Sequence, residues 1–167
     1  ETVPGADQKV NYPFGFGLSY TTFQTDVLSA EEKEGQVRIQ VEITNTGSRD
    51  GKEVVQVYFE APQGRLGKPK RQLIAFAKTR SLRPGESQRL YLSFEIRDMA
   101  SYDDTGKVQK AAYVLEKGDY FFHVGTSVRD TVRLDYVYQV KGDTVTEQLE
   151  SRLTPSELPR RMLSDGS

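Results

Sequence analysis

The feature that most constrains the fold is an alternating run of aliphatic and polar residues from Gln36 to Thr44. Its aliphatic members are Val37, Ile39, Val41 and Ile43. Successive side chains of a β-strand point to opposite faces, so a two-residue period predicts a strand rather than a helix. Because all four aliphatic side chains then lie on one side, that face of the strand must be buried.

Short segments of similar character recur along the chain and are separated by turn residues. Strands are also predicted at residues 22–28, 53–61, 73–79, 88–95, 111–115, 120–124 and 131–140, with a charged turn at 30–35 and a single helical turn within 96–102. A glycine in the connection between 111–115 and 120–124 predicts that these two strands pair as a hairpin. The spacing is typical of an all-β fold, an antiparallel β-sandwich of about seven strands.

The predicted strand at residues 53–61 is unusual because it carries apolar residues on both faces. Val55 and Val57 lie on one side, while Val54 and Tyr58 lie on the other. A strand of this kind is either central in its sheet or covered on its outer face by a neighbouring domain.

Before the first strand, residues 12–23 read YPFGFGLSYTTF, which is rich in aromatic residues and glycine but has no regular period. Pro13 restricts the backbone, whereas Gly15 and Gly17 allow unusual angles or close approaches. We interpret this stretch as a hinge whose rings dock the sandwich onto a neighbour. The predicted docking residues are Tyr12, Phe14, Phe16, Leu18, Tyr20 and Phe23. Residues 12–18 are expected to fold back on the sandwich or to be mobile when the chain is alone.

Composition excludes several classes of function. The chain has no cysteine, which removes thiolate zinc sites, iron–sulfur clusters and cysteine nucleophiles but leaves the cellular compartment open. Lys and Arg number 23 against 24 Asp and Glu, so no global field favours nucleic acid or an anionic membrane as a partner. No apolar run approaches the roughly 20 residues of a membrane span, and residues 1–11 are too polar for a signal peptide.

The chain offers little catalytic chemistry. His123 is the only histidine and has no second histidine or cysteine with which to form a metal site or a nucleophile–base pair. The neighbouring Asp98, Asp103 and Asp104 are predicted to cap and solvate a turn. We therefore predict no catalytic residue, no metal site and no cofactor in this chain.

Several motifs, in a fixed order, carry a family resemblance. They are Pro13–Tyr20 (PFGFGLSY), Val54–Tyr58 (VVQVY), Pro69–Phe76 (PKRQLIAF), Leu82–Glu86 (LRPGE) and Gly118–Tyr120 (GDY). Together they resemble the fibronectin type III-like domain of family 3 glycoside hydrolases, the β-glucosidase and β-xylosidase family. The resemblance covers roughly residues 12–128.

The resemblance implies two regions, and the residue pattern that follows them indicates a third. Residues 1–20 would be a tail and hinge leaving a preceding α/β domain, and residues 21–141 would form the fibronectin type III-like, immunoglobulin-like sandwich. Residues 142–167 would be a C-terminal linker or a short helical segment, because apolar residues from Thr144 to Leu163 recur every four or five positions. Some family members carry their catalytic barrel after this module, so the side on which a barrel lies stays open.

The resemblance also implies a function. The family's nucleophile is an aspartate in a Ser-Asp-Trp-like context, and this chain has no tryptophan. The chain would be a non-catalytic accessory module of a parent β-glucosidase, and its partners would be the catalytic domains of the same parent chain.

Two alternatives stay open at this stage. One is a carbohydrate-binding module that contacts a β-linked oligosaccharide at the domain edge through Tyr58, Tyr91 or the basic loop at residues 62–71. The cations of that loop are Arg65, Lys68, Lys70 and Arg71. The loop could equally be a solvated connection or face an acidic neighbouring domain. The other alternative is a generic interaction domain, because sandwiches host unrelated functions.

Overall fold

The computed structural model describes residues 9–150 and 152, and within them the regular secondary structure is almost entirely β-strand. The elements, in chain order, are β1 (Phe23–Lys33), β2 (Gln36–Asn45), β3 (Val54–Glu60), β4 (Gln72–Lys78), β5 (Ser87–Glu95), a 3-10 turn (Ile96–Met99), β6 (Ser101–Asp103), β7 (Ala112–Leu115), β8 (Gly118–Gly125), β9 (Thr131–Val140) and β10 (Thr144–Gln148). No described segment forms a helix long and apolar enough to cross a bilayer.

Seven of these strands form the sandwich. One sheet has the order β1-β2-β5 and the other has the order β4-β3-β8-β9, with antiparallel pairing throughout. Core residues from both sheets pack into one hydrophobic cluster. The predicted antiparallel sandwich of about seven strands is confirmed. A third sheet, β10-β7-β6, lies beside it and has a small core of its own around Leu66 and Val114.

The alternating run that predicted β2 behaves as its pattern requires. Burial alternates at every position of the strand, and Val37, Val41 and Ile43 are fully enclosed. β2 lies between β1 and β5, where its aliphatic face meets the opposite sheet. β1 is longer than predicted, because it continues to Lys33 and leaves only a tight turn at Glu34 and Gly35.

The predicted hairpin between residues 111–115 and 120–124 is wrong. β7 pairs with β6 and β10, whereas β8 pairs with β3 and β9. β7 contributes to both cores, since Ala112 and Val114 pack with Leu66 while Leu115 joins Phe122 inside the sandwich. A glycine-containing connection marks a change of direction, and it does not specify which sheet the next strand joins.

The helical segment predicted to start at Thr144 is also wrong over its first turn. Residues 144–148 form β10, which pairs with the edge of β7. Threonine and valine at 144–146 favour an extended backbone, and the open edge of β7 supplies hydrogen-bond partners. The rest of that predicted segment, residues 151 and 153–167, lies outside the described residues, as does most of the predicted N-terminal tail, residues 1–8.

Asp103 caps the turn that follows β6, as predicted. Its buried carboxylate accepts hydrogen bonds from the backbone N–H groups of Gly106, Lys107, Val108 and Gln109 at 2.6–3.1 Å. Burial alone would raise the pKa of Asp103, but these four donors, led by that of Val108, together hold it below its usual range.

We expect the change Asp103→Asn to destabilise the domain by about 1–3 kcal/mol at neutral pH, because one amide oxygen replaces a charged two-oxygen acceptor. A carboxylate whose pKa is lowered by folding stabilises the fold above its unfolded pKa of about 3.9 and ceases to do so as pH falls through the folded value. Urea unfolding at pH 7 and at pH 2–3 measures this, and the difference between the two proteins should shrink at the lower pH. The change Asp135→Asn, at an exposed position of β9, is the control.

Candidate docking site

The first part of the hinge, residues 12–18, folds back on the outer face of β3. Folding back on the sandwich is one of the two states predicted for it. The side-chain amide of Gln56 donates hydrogen bonds to the carbonyl oxygens of Gly15, at 2.9 Å, and Thr126, at 2.6 Å. The backbone N–H of Val128 donates to the carbonyl oxygen of Phe14 at 3.0 Å. The hinge is therefore tied both to β3 and to the loop between β8 and β9, without forming a strand.

Aromatic packing covers the same place. The ring of Phe14 lies edge-on to the ring of Tyr58, with 6.5 Å between centroids. Tyr58 is only 1% exposed, and its hydroxyl donates to the carboxamide oxygen of Gln56. β3 is thus both central in its sheet, between β4 and β8, and covered on its outer face. The cover is the chain's own hinge.

Gly15 is needed for this arrangement. Its φ is +80°, a left-handed conformation, and a Cβ atom built there would lie 2.0 Å from the carboxamide oxygen of Gln56. Gly17 differs, because a Cβ atom at that position would meet nothing within 4 Å. Of the two glycines that marked the hinge in the sequence, only Gly15 makes a close approach.

Most of the predicted docking residues remain exposed although the hinge is folded back. Between 46% and 99% of the surface of each is accessible in the set Tyr12, Phe14, Phe16, Leu18 and Tyr20. Tyr12 and Phe16 contact each other, with ring centroids 5.0 Å apart. Phe23 does not share this surface, since it lies in β1 and packs against the sandwich core. Five of the six predicted side chains are therefore exposed on the N-terminal segment, and Phe23 is not among them.

The change Gln56→Ala should release the hinge, because it removes both hydrogen bonds from the side chain to the hinge and the β8–β9 loop. We expect a loss of about 1–2 kcal/mol in the free energy of unfolding, since two backbone carbonyls lose a donor. Faster amide exchange at residues 14–17 and 126–128 should accompany it. Hydrogen exchange read by mass spectrometry tests this, with Gln40→Ala as control, because Gln40 lies on the opposite sheet. Unchanged exchange in the hinge of Gln56→Ala would contradict the assignment.

Tyr58 and the basic loop were the predicted interface or sugar contacts. Burial removes the Tyr58 ring from direct contact with a ligand in this conformation. Lys68 is also buried and forms an ion pair with Glu116, and its ammonium group donates to the carbonyl oxygen of Pro62 at 3.0 Å. The charge of Lys68 is therefore used inside the fold.

The remaining cations of the basic loop differ in exposure. Arg65 is half-exposed and pairs with Asp143, which lies just before β10. Arg71 donates to the carbonyl oxygen of Val128 and the hydroxyl of Thr131, each at 3.0 Å, so it supports the loop that holds the hinge. Lys70 is exposed. Of the four predicted cations, Lys70 and Arg65 have the accessibility that an external contact requires.

Two groups that the sequence analysis did not assign complete the site. Gln56 holds the hinge, and its only signal in the sequence is an amide within an otherwise apolar strand. Glu53 lies beside the hinge in a cavity of about 520 Å³ that also contains Asp130 and Lys78. Burial raises the pKa of Glu53, and the negative charge of Asp130 raises it further.

His123, on β8, lies close to charged side chains. His123 lies 3.4 Å from a carboxylate oxygen of Glu60, and burial, followed by the charge of Arg71, lowers its pKa. Within the described ranges no group of three or more histidine or acidic side chains could hold a metal ion. The surface built by the hinge consists of apolar rings on a hydrogen-bonded support.

Comparison with known proteins places these features in context. A family model described as a fibronectin type III-like domain matches residues 53–128. Beta-glucosidase A of Butyrivibrio fibrisolvens is 52% identical over 182 residues, which cover 100% of this chain and 22% of that protein. The beta-glucosidase of Ruminococcus albus is 43% identical and covers 95% of this chain and 17% of that protein.

Solved structures give the same result. A beta-glucosidase from Paenibacillus barengoltzii matches 86% of this chain and 17% of its own, with a TM-score of 0.83 and 54% identity. Beta-glucosidase 3B from Thermotoga neapolitana in complex with glucose matches 81% of this chain and 18% of its own, with a TM-score of 0.71 and 40% identity. The chain spans about a fifth of the length of each of these proteins.

Proposed function

Because this chain carries the fibronectin type III-like domain of a family 3 glycoside hydrolase, we propose that it is a non-catalytic accessory module that braces the catalytic domains of a parent β-glucosidase. The observation that carries the proposal is the hinge. Its backbone is fixed to β3 and to the β8–β9 loop, while its rings stay exposed. Exposed rings on a rigid support favour association with another surface.

The buried carboxylates support a structural role. Asp103 accepts four backbone hydrogen bonds, and Glu116 pairs with Lys68 and accepts hydrogen bonds from backbone N–H groups of the basic loop. Glycoside hydrolysis needs two carboxyl groups that face a sugar across a cleft, with pKa values set apart by their surroundings. Asp103 and Glu116 are instead committed to holding loops in place.

A graft tests the bracing role. In beta-glucosidase A of Butyrivibrio fibrisolvens, the matching segment would be replaced by this chain, and the hinge rings Phe14 and Phe16 would then both be changed to serine. We expect the graft to hydrolyse an aryl β-glucoside, and the serine variant to lose activity on heating several times faster. The matched control is Tyr91→Ser, an exposed ring on the other sheet. Equal heat inactivation of graft and serine variant would contradict bracing through the hinge.

Sugar binding is the second candidate function, and the exposure of the Tyr91 ring is the observation that favours it. This ring is 75% exposed on β5, and its hydroxyl accepts a hydrogen bond from the side-chain amide of Gln40 at 3.2 Å. Calorimetric titration of the chain with a soluble β-glucan distinguishes the two roles. The accessory role predicts no heat of binding, whereas millimolar or tighter binding that is lost in Tyr91→Ala would favour a carbohydrate-binding module.

A further inference from the structure

We propose that the outer face of β4, formed by Phe76 and Leu73, is part of the docking surface, and that a surface of the catalytic domains of the same parent chain covers it. The inference rests on the proposed accessory function and specifies which face of the sandwich performs it. Neither residue belongs to the hinge.

The register of the sheet places these two side chains next to the hinge. In the β3–β4 pair, Phe76 lies opposite Gln56 and Leu73 lies opposite Tyr58. Side chains directly opposite each other on antiparallel strands share a face, with Cβ atoms about 4.5–5.5 Å apart. Since Gln56 and Tyr58 are the residues that the hinge covers, Phe76 and Leu73 border it directly.

Exposure distinguishes β4 from its surroundings. Phe76 is 69% exposed, although it lies beside the buried Gln56. Phe14 and Phe16, on the neighbouring hinge, are exposed as well. One exposed ring on β4 and two on the hinge thus lie on either side of the Gln56 position. Exposed apolar side chains gathered in one area mark an interaction surface.

The rim of this area is polar and carries both signs of charge. Between the hinge and the β3–β4 face lies the cavity of about 520 Å³, whose walls include Phe16, Leu18 and Val54. Lys52, Glu53, Lys78 and Asp130 also line it. An apolar centre with a mixed polar rim is the usual anatomy of a protein–protein interface. A lipid surface or a polyanion would instead select one sign of charge.

The occupant follows from continuity and from length. The surface adjoins the hinge through Gln56, which lies opposite Phe76 and holds Gly15, and the hinge is the segment proposed to join the module to its parent. The matched β-glucosidases are about five times as long as the part that this chain aligns with, so they contain ample further surface to cover the face. A second copy of the chain pairing through β4, which is an edge strand, is the competing occupant and would reveal itself as a dimer.

Single thiols test the proposal, since the chain has no cysteine of its own. Phe76→Cys and the control Tyr91→Cys would each be prepared in the isolated chain and in the Butyrivibrio graft. Maleimide labelling would be followed at the peptide level by mass spectrometry. We expect the thiol of Phe76→Cys to react about tenfold or more slowly in the graft than in the isolated chain, because an interface core excludes solvent. The Tyr91→Cys thiol should react alike in both.

Two outcomes would overturn the inference, and a third would support it while rejecting the bracing role. Equal labelling of Phe76→Cys in both contexts, repeated with Leu73→Cys, removes β4 from the interface. The Phe76→Cys thiol could instead be protected from maleimide already in the isolated chain, with protection that rises with protein concentration as a dimer forms. That result would assign the face to a second copy and overturn the proposed occupant. Protection in the graft without any effect of the hinge rings on heat inactivation supports the surface while rejecting the bracing role.

Discussion

Replacing Lys68 by methionine should destabilise the domain by about 3–5 kcal/mol, the cost expected when one partner of a buried ion pair is removed. Lys68 and Glu116 are both almost completely buried, and their side chains pair directly. Methionine has a similar length and fills the same space, so the loss arises from the charge of Glu116, which remains buried without its ammonium partner. A domain of this size has about 5–15 kcal/mol of stability in total, and the change removes a large share of it.

The matched control is Arg65→Met, which also replaces a cation of the same loop by methionine. Arg65 is half-exposed in its pair with Asp143, and water replaces much of what such a pair contributes, so the expected cost is about 0–1 kcal/mol. The free energies of unfolding of the two variants are compared by urea unfolding monitored by circular dichroism. Urea is used because it is uncharged and does not screen the ion pairs. Equal losses for the two would show that Lys68 is not paired in the buried geometry.

This ion pair also changes the interpretation of the basic loop. The sequence suggested a cationic surface at residues 62–71, with four positive charges facing solvent or a partner. In the structure Glu116 accepts hydrogen bonds from the backbone N–H groups of Arg65, at 2.6 Å, and Leu66, at 3.3 Å, and it pairs with Lys68. The loop is therefore anchored from within, and its basic composition partly reflects that anchor rather than a ligand.

Much of the fold could be predicted from the sequence because the decisive forces there are local. The alternation along β2 and the inward set of Leu90, Leu92 and Phe94 on β5 follow from the two-residue period and the burial of one face. The hinge was recognised for a similar reason, since proline and glycine restrict or release the backbone wherever they occur.

The rest depends on pairing between distant residues, which no local pattern encodes. Lys68 and Glu116 are 48 residues apart, and Gln56 holds Gly15 from 41 residues away. β7 pairs with β6 and β10 rather than with β8, the strand that follows it, and these partners are distant in the sequence or follow from tertiary packing. Phe76 could not be assigned to the candidate surface either, because the register of β4 on β3 is what places it beside the hinge.

The change Phe122→Ala should cost about 3–5 kcal/mol, the range found when a buried phenylalanine is truncated. Phe122 is fully buried on β8 and contacts rings from two other strands. Its centroid is 5.6 Å from that of Phe94 on β5 and 5.8 Å from that of Tyr136 on β9. Because Phe94 belongs to the opposite sheet, truncation removes transfer free energy and also leaves a cavity between the two layers. Urea unfolding of the isolated chain measures the loss.

The same substitution at Phe76 separates stability from docking. Phe76→Ala removes an identical group from a neighbouring part of the same sheet, yet its ring is 69% exposed, so the isolated chain should change by about 0.5 kcal/mol or less. In the graft, Phe76→Ala should cost more stability than it does in the isolated chain. The reason is that a ring exposed in the isolated chain becomes buried once a partner covers β4. A Phe76→Ala loss in the isolated chain as large as that of Phe122→Ala would make Phe76 a residue of the fold, and the case for a docking surface on β4 would then fail.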